Sequence, residues 1–110
     1  FTEMGTGVSA SSTAALPQGF TLEQNYPNPF NPQTMIQFYL PQAAAVTVQV
    51  FNVNGELVKT LLNNRRQAAG SHQISWNGTT DQGALASSGI YFYRLQTEQA
   101  TDVKRMVLIK

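Results

Sequence analysis

Few side chains in this sequence could perform acid–base or nucleophilic chemistry, and their spacing does not group them. The one histidine, His72, falls within an alternating apolar stretch, where we expect a rim position on the same strand face as Trp76. The serines are mostly in the N-terminal tail and at Ser87-Ser88, without the spacing of a nucleophile held beside a base. The six acidic residues are dispersed, mostly in predicted turns. This pattern favours a protein that is not an enzyme.

Residues 77–83, NGTTDQG, are the only stretch that resembles a metal loop, because oxygen-bearing side chains and a glycine are what Ca²⁺ requires. The loop has a single carboxylate, Asp81, and no glutamate that could bind in a bidentate manner. A turn in which Asn77 and Asp81 cap their own backbone explains the same residues. The chain has no cysteine, which excludes thiolate zinc sites and disulfides. We therefore expect no metal and no cofactor.

Aromatic side chains offer a different chemistry, the stacking of sugar rings. The candidates are Tyr26, Phe30, Tyr39, Trp76, Phe92 and Tyr93. The alternative is that Trp76 and most tyrosines fill a core, since a sandwich of ~100 residues without a disulfide needs large apolar side chains inside. We expect Trp76 to be buried, and Tyr39 and Phe92 to be the exposed aromatics.

The charge content restricts the possible partners. Charged residues make up 12% of the chain and the net charge is +1, with the basic residues scattered. This argues against electrostatic binding of nucleic acid or of a membrane surface. No apolar run approaches the ~20 residues of a membrane-spanning helix. Because the sequence begins with Phe1 rather than Met, we expect a piece of a larger protein.

The proline segment, residues 22–34 (LEQNYPNPFNPQT), separates two parts of different composition. Pro27, Pro29 and Pro32 fix φ and remove backbone donors, so this segment can be neither a helix nor a central strand. We expect Tyr26 and Phe30 to pin it onto the following domain. Residues 1–16 are small and polar and are predicted to be a disordered linker or tail. The folded domain is predicted to span residues 17–110, with Phe20 and Leu22 docked on it.

Period-two alternation after the proline segment predicts six strands, at residues 35–40, 45–53, 56–62, 71–77, 90–97 and 103–110. Asn54-Gly55 predicts a hairpin with a type I′ turn. Residues 63–69 and 77–89 are predicted loops, and a seventh short strand could come from residues 20–24 or 84–86. The pattern predicts an all-β fold, an immunoglobulin-like antiparallel β-sandwich of six to seven strands.

Several motifs occur in the order of a known family. Residues 25–32, NYPNPFNP, followed by a strand, resemble the opening signature of the type A C-terminal sorting domains of type IX secretion substrates. Later motifs of that family are resembled by VFNVNGELV at 50–58, GSH at 70–72, WNGT at 76–79, SGIYFYRL at 88–95 and KRMVLIK at 104–110. The immunoglobulin-like domain of the flagellar hook-capping protein is similar from the hairpin onward but usually lacks the proline opening. Thr80 and residues 84–86 depart from the sorting-domain pattern. The residues that carry the resemblance include Tyr26, Pro27, Asn28, Pro29, Phe30, Asn54, Gly55 and Trp76.

The resemblance implies a non-catalytic sorting signal that directs a cargo protein, joined N-terminal to it, through an outer membrane translocon. Such domains belong to exported proteins of Bacteroidota-like bacteria and travel through the periplasm to the cell surface or extracellular space. The implied partners are the translocon and a sortase that removes the domain, with cleavage within residues 1 to about 19. We expect a monomer that binds no nucleic acid. The alternative is a carbohydrate-binding accessory β-sandwich of a secreted glycoside hydrolase.

The C-terminal strand is the part of the domain that we expect the translocon to read. Lys104, Met106, Leu108 and Lys110 alternate there with Val103, Arg105, Val107 and Ile109, so both faces are partly apolar. A terminal strand leaves an end, and an edge where it is unpaired, to a partner. A strand that only completes the sheet explains the same pattern. The residues predicted for translocon recognition are Lys104, Lys110, Gly89 and Tyr91.

Overall fold

A computed structural model describes residues 19–110, which form seven β-strands in two antiparallel sheets. The strands are β1 (Thr21–Leu22), β2 (Thr34–Leu40), β3 (Ala44–Asn52), β4 (Leu57–Gln67), β5 (Gly70–Trp76), β6 (Gly89–Gln96) and β7 (Thr101–Leu108). One sheet has the order β1-β2-β5 and the other the order β4-β3-β6-β7. The predicted immunoglobulin-like sandwich is confirmed. The predicted tail, residues 1–16, lies outside the described part of the chain.

The core lies between the two sheets and follows the alternation of the sequence. Inward-facing residues of β2, β3, β6 and β7 are almost fully buried: Ile36, Phe38 and Leu40, then Val46, Val48 and Val50, then Tyr91, Tyr93 and Leu95, then Met106 and Leu108. Phe20 and Leu22 are buried on the same core, as predicted. The seventh strand is β1, at residues 21–22, whereas Leu85 makes only an isolated bridge with Thr79.

Strand β4 is longer than predicted, so the prediction of a loop at residues 63–69 is wrong for residues 63–67. β4 continues to Gln67, and its polar end pairs with β3 through Ala44↔Gln67, Ala45↔Arg66 and Val46↔Arg65. β4 is an edge strand of its sheet, so Arg65 and Arg66 stay exposed while their backbone is paired. Polar side chains therefore do not exclude a strand here, because an edge strand needs little apolar surface.

The hairpin at Asn54-Gly55 is present, but its turn is not of type I′. Gly55 has a φ of 82°, and Asn54 is not among the residues with positive φ. The Gly55 N–H donates to the Asn52 carbonyl at 3.0 Å, which closes a type I turn with a bulge at the glycine. The Asn52 side-chain oxygen accepts hydrogen bonds from the N–H groups of Asn54 and Glu56, at 2.9 and 3.0 Å. These two hydrogen bonds favour the type I turn with a glycine bulge over the predicted type I′ turn.

Candidate recognition site

The proline segment is held by a buried hydrogen-bond network around Asn25. The Asn25 side chain donates to the Thr34 hydroxyl at 2.9 Å and to the Pro27 carbonyl at 3.1 Å. Its backbone N–H donates to the Tyr93 hydroxyl at 2.8 Å, and that hydroxyl donates to the Glu23 carbonyl at 2.7 Å. Burial is the main cause that raises the pKa of Tyr93 from 10.0 to about 12. The segment is thereby anchored on β2 and β6 before it reaches the opposite sheet edge.

Asn28 and Phe30 carry the proline segment onto β7. The Asn28 side-chain oxygen accepts a hydrogen bond from the Val107 N–H at 2.9 Å. The Phe30 N–H donates to the Val107 carbonyl, and the Phe30 carbonyl accepts from the Ile109 N–H, both at 2.9 Å. The Gln24 side chain donates to the Arg105 carbonyl at 2.7 Å. The edge of β7, which we expected to be available to a partner, is therefore largely covered by the proline segment.

Phe30 fills the core beneath this contact, as predicted. Its ring lies 5.7 Å from that of Trp76, and Trp76 packs edge-on against Tyr91 at 5.5 Å. The Trp76 indole N–H donates to the Thr79 carbonyl at 2.8 Å, which satisfies its one polar group. Trp76 is 1% exposed, so its predicted burial is confirmed. A Cβ on Gly78, whose φ is 79°, would lie 3.1 Å from the Pro32 carbonyl oxygen.

Tyr26 departs from the prediction that both aromatics pin the segment. Its side chain is 80% exposed, and only its backbone is held. The backbones of Tyr26 and Met35 exchange two hydrogen bonds of 2.9 Å. The flanking Pro27 and the buried Asn25 direct the chain so that the tyrosine ring points away from the core. The anchoring residues are thus Asn25 and Phe30. Nothing in the sequence indicated that Asn25, a polar residue, would be buried.

Three of the four residues predicted for translocon recognition lie at one end of the sandwich. Gly89 pairs with Leu108 and Tyr91 with Met106, while the Lys110 N–H donates to the Ser88 hydroxyl at 3.0 Å. Tyr91 is buried at 6% exposure, and its hydroxyl donates to the Ser87 carbonyl at 2.6 Å. Among them, Lys110 is the one with an exposed charged side chain.

The fourth residue, Lys104, is separate from this end. It pairs with Tyr93, and its side chain is half-buried on the face that Met106 and Leu108 share. Six residues of extended chain place Lys104 and Lys110 roughly 20 Å apart. The two lysines therefore cannot form one compact basic site.

A groove not foreseen from the sequence lies at the same end as Lys110. It has a volume of about 450 Å³ and lies between the β3–β4 hairpin and the loop before β6. Val53, Leu85 and Ile90 line it and are 64%, 71% and 40% exposed. Exposed apolar side chains gathered in one place are typical of contact surfaces. Leu85, the one large apolar residue in the loop at residues 77–89, was the available signal in the sequence.

The polar residues considered for chemistry are engaged at separate places. His72 stacks on Phe38 with ring centroids 5.3 Å apart, and its Nε2 lies 2.7 Å from the Ala68 carbonyl oxygen. It is a rim histidine on the same face of β5 as Trp76, as predicted, and it packs there on Phe38. Asp81 accepts a hydrogen bond from the Thr60 N–H at 3.1 Å, which ties the candidate calcium loop to β4. Among residues 19–110, no three His, Cys, Asp or Glu side chains group as metal ligands would.

Tyr39 and Phe92, the two aromatics expected to be exposed, do not form one platform. Tyr39 is 43% exposed on the outer face of the β1-β2-β5 sheet. Phe92 is half-buried rather than exposed as predicted, on the outer face of the other sheet. The two rings therefore lie on opposite sides of the sandwich.

In the described part of the chain, no helix is long and apolar enough to cross a membrane.

Comparison with known families assigns the domain. The model of the FlgD Ig-like domain matches residues 28–101. The chain belongs to this family. The match to the FlgD Ig-like domain begins inside the proline segment, so residues 25–27 of the NYPNPF signature lie before it. No curated protein matches the sequence.

Solved structures share the FlgD Ig-like fold at low sequence identity. Latent PorU from Porphyromonas gingivalis is 16% identical over 93% of this chain and 10% of its own, with a TM-score of 0.64. PorZ from the same organism, a surface component of the type IX secretion system, is 19% identical over 84% of this chain and 12% of its own, at 0.54. FlgD from P. aeruginosa is 23% identical over 73% of this chain and 67% of its own, at 0.54. The chain thus spans only about a tenth of PorZ and PorU.

Proposed function

We propose that this chain is a non-catalytic C-terminal sorting domain that directs a cargo protein through the outer membrane translocon of a type IX secretion system. The observation that carries the proposal is the pairing of Asn28 and Phe30 with Val107 and Ile109. It unites the first and the last motif of the sorting-domain resemblance in one folded unit. A signal distributed over both ends of a domain is readable only when the domain is folded.

The structural neighbours support the secretory context of this proposal. PorZ is described as an essential bacterial surface component of the type IX secretion system, and it contains a region of this fold. The signature NYPNPF favours the sorting class over a hook-capping role. The match to the FlgD Ig-like domain does not include its first three residues. The partners in this proposal are the translocon, the sortase and the covalently joined cargo.

The proposal places the domain on a route through the periplasm to the cell surface or extracellular space of a bacterium of the Bacteroidota. The domain travels as a monomer, binds no nucleic acid and catalyses no reaction. The separate engagement of His72 with Ala68 and of Asp81 with Thr60 supports a non-catalytic role, because catalysis requires such groups to converge. The sortase cleaves within residues 1 to about 19, almost all of which lie outside the described residues.

The carbohydrate-binding alternative requires aromatic rings that present one flat surface. Tyr39 and Phe92, the two rings that the sequence favoured for it, face away from each other. This arrangement favours the sorting function, and a pull-down on insoluble polysaccharides tests the alternative directly.

A reporter fusion tests the proposed function. Residues 17–110 are joined to the C-terminus of a fluorescent reporter that carries a signal peptide, in a bacterium with a type IX system. We expect protease-accessible reporter at the cell surface. The matched control carries the Ig-like domain of a FlgD protein, which shares the fold but usually lacks the proline signature, and should stay in the periplasm. Surface delivery of both fusions, or of neither, would contradict the proposal.

The same reporter tests the two predicted lysines. Lys110 is exposed and contributes little to stability, whereas Lys104 is half-buried, so the double variant Lys104→Ala with Lys110→Ala is melted first and carried forward if it is folded. We expect this double variant to reach the surface several times less efficiently, and deletion of residues 102–110 to abolish delivery. Wild-type delivery by the double variant, with none by the deletion, would show that the folded strand and not its charge is read.

A further inference from the structure

The free edge of β5 presents backbone groups that no strand satisfies within residues 19–110. On β2, Met35 exchanges its backbone hydrogen bonds with Tyr26, and the Gln37 carbonyl accepts from Glu23. The backbone N–H and C=O groups of odd-numbered β2 residues therefore point away from β5. Those of even-numbered β2 residues form the hydrogen bonds to β5. Even-numbered residues of β2 pair with even-numbered residues of β5, as in Ile36↔Ile74. The β5 residues whose N–H and C=O groups face the open edge are consequently Ser71, Gln73 and Ser75.

The other three sheet edges are protected by the devices that proteins use against unwanted pairing. β1 has only two residues. β4 carries Lys59, Arg65 and Arg66 and has register shifts in its pairing. β7 carries Lys104 and Arg105 and is covered by the proline segment.

β5 has none of these protections. Its sequence, GSHQISW, contains no Lys, Arg, Asp, Glu or Pro. Its pairing with β2 runs through all seven residues without a bulge. An edge that is regular, uncharged and seven residues long is a template for an added strand.

The chemistry around this edge defines the strand that fits it. Side chains of an added strand would alternate between the outer face, beside the exposed Gln73, and the inner face, beside the half-buried His72 and Ile74. Apolar residues suit the inner positions, because Ile74 already packs against the core. Arg65 and Arg66 are exposed near the end of β4, which residues 68–69 join to β5, so a carboxylate fits at the end of the edge where Ser71 lies.

We propose that the β5 edge binds an extended segment of a translocon component as an added β-strand, with apolar residues at alternate positions and an acidic residue near Arg65-Arg66. The proposal rests on the sorting function proposed above. A second copy of the domain fits less well, because β5 has no acidic residue to meet that arginine pair. The recognised edge is thus on the sheet opposite to β7.

Substitutions at Gln73 test the edge in the surface-delivery assay. Gln73→Pro removes an N–H that faces the open edge, so it removes no hydrogen bond to β2. Gln73→Lys adds a positive charge that disfavours strand pairing at this edge, and it leaves the backbone N–H of residue 73 in place. The matched control is Gln37→Lys, because Gln37 lies directly opposite Gln73 and is also exposed, but on the central strand. Each purified domain is first melted, and folded variants are carried forward.

We expect surface reporter to fall at least tenfold with Gln73→Pro, severalfold with Gln73→Lys and severalfold with Arg65→Glu plus Arg66→Glu. Gln37→Lys should stay within twofold of wild type. Delivery of both Gln73 variants at the wild-type level would overturn the proposal while leaving the sorting function intact. An equal loss with Gln37→Lys would overturn it too, because the outer face would then be the contact. Light scattering that shows a dimer lost in Gln73→Pro would make the occupant a second copy. If the wild-type domain itself delivers no reporter, both proposals fail.

Discussion

Truncation of Trp76 tests how this sandwich is held together. The side chain is 1% exposed, packs against Phe30 and Tyr91, and donates its indole N–H to Thr79. Trp76→Ala should cost about 3–5 kcal/mol, because a large cavity remains and the aromatic contacts are lost. A domain of this size is stable by only about 5–14 kcal/mol. The substitution thus removes a large share of the free energy of unfolding.

Urea unfolding measures this loss, with far-UV circular dichroism as the signal. At about 4–8 °C per kcal/mol, the melting temperature should fall by at least roughly 12 °C. The matched control is Tyr39→Ala, which removes another aromatic ring, but one on the outer face, and should change stability by about 0.5 kcal/mol or less. Because Trp76 is the only tryptophan, the wild-type fluorescence emission reports its environment alone and should be blue-shifted.

Two results would refute this reasoning. A loss below about 1 kcal/mol in Trp76→Ala would mean that the indole is not a packed part of the core. Red-shifted emission typical of exposed indole would place the ring in water and would favour the sugar-platform alternative.

Three further predictions concern pH, the N-terminal tail and polysaccharides. Because the pKa of Tyr93 is raised to about 12, the unfolded chain releases this proton near pH 10 while the folded one keeps it. The free energy of unfolding should therefore be unaffected by this group below pH 10 and fall by at most about 1.4 kcal/mol per pH unit between pH 10 and 12. Tyr93→Phe should lose this fall in a pH series of urea titrations, and an equal fall in both proteins would exclude Tyr93 as its source. Deletion of residues 1–15, whose composition lacks an apolar face, should shift the melting temperature by only a few degrees, and a large drop would mean that they form a strand. Pull-downs on insoluble xylan, cellulose and chitin should retain no domain, whereas saturable binding lost in Tyr39→Ala or Phe92→Ala would support the carbohydrate-binding alternative.

The strands and their inward faces could be read from the sequence because each decision is local. In a strand, alternate side chains face opposite sides, so Val46, Val48 and Val50 had to share a face wherever the strand lay. The rigid φ of three prolines likewise excluded helix and central strand between β1 and β2, at residues 23–33. Polar edge strands lack such a signal, which is why the second half of β4 was predicted as a loop.

The sequence by itself therefore determined the all-β class, the inward faces and the burial of Trp76. Only the tertiary structure decided what the proline segment contacts, since Asn28 meets Val107 across most of the chain's length. The same long-range pairing decided which edges are covered and which is open. A backbone group's partner depends on which strands become neighbours, and neither alternation nor composition specifies that order. The open edge at Gln73 is consequently a property of the fold, although every residue that forms it is visible in the sequence.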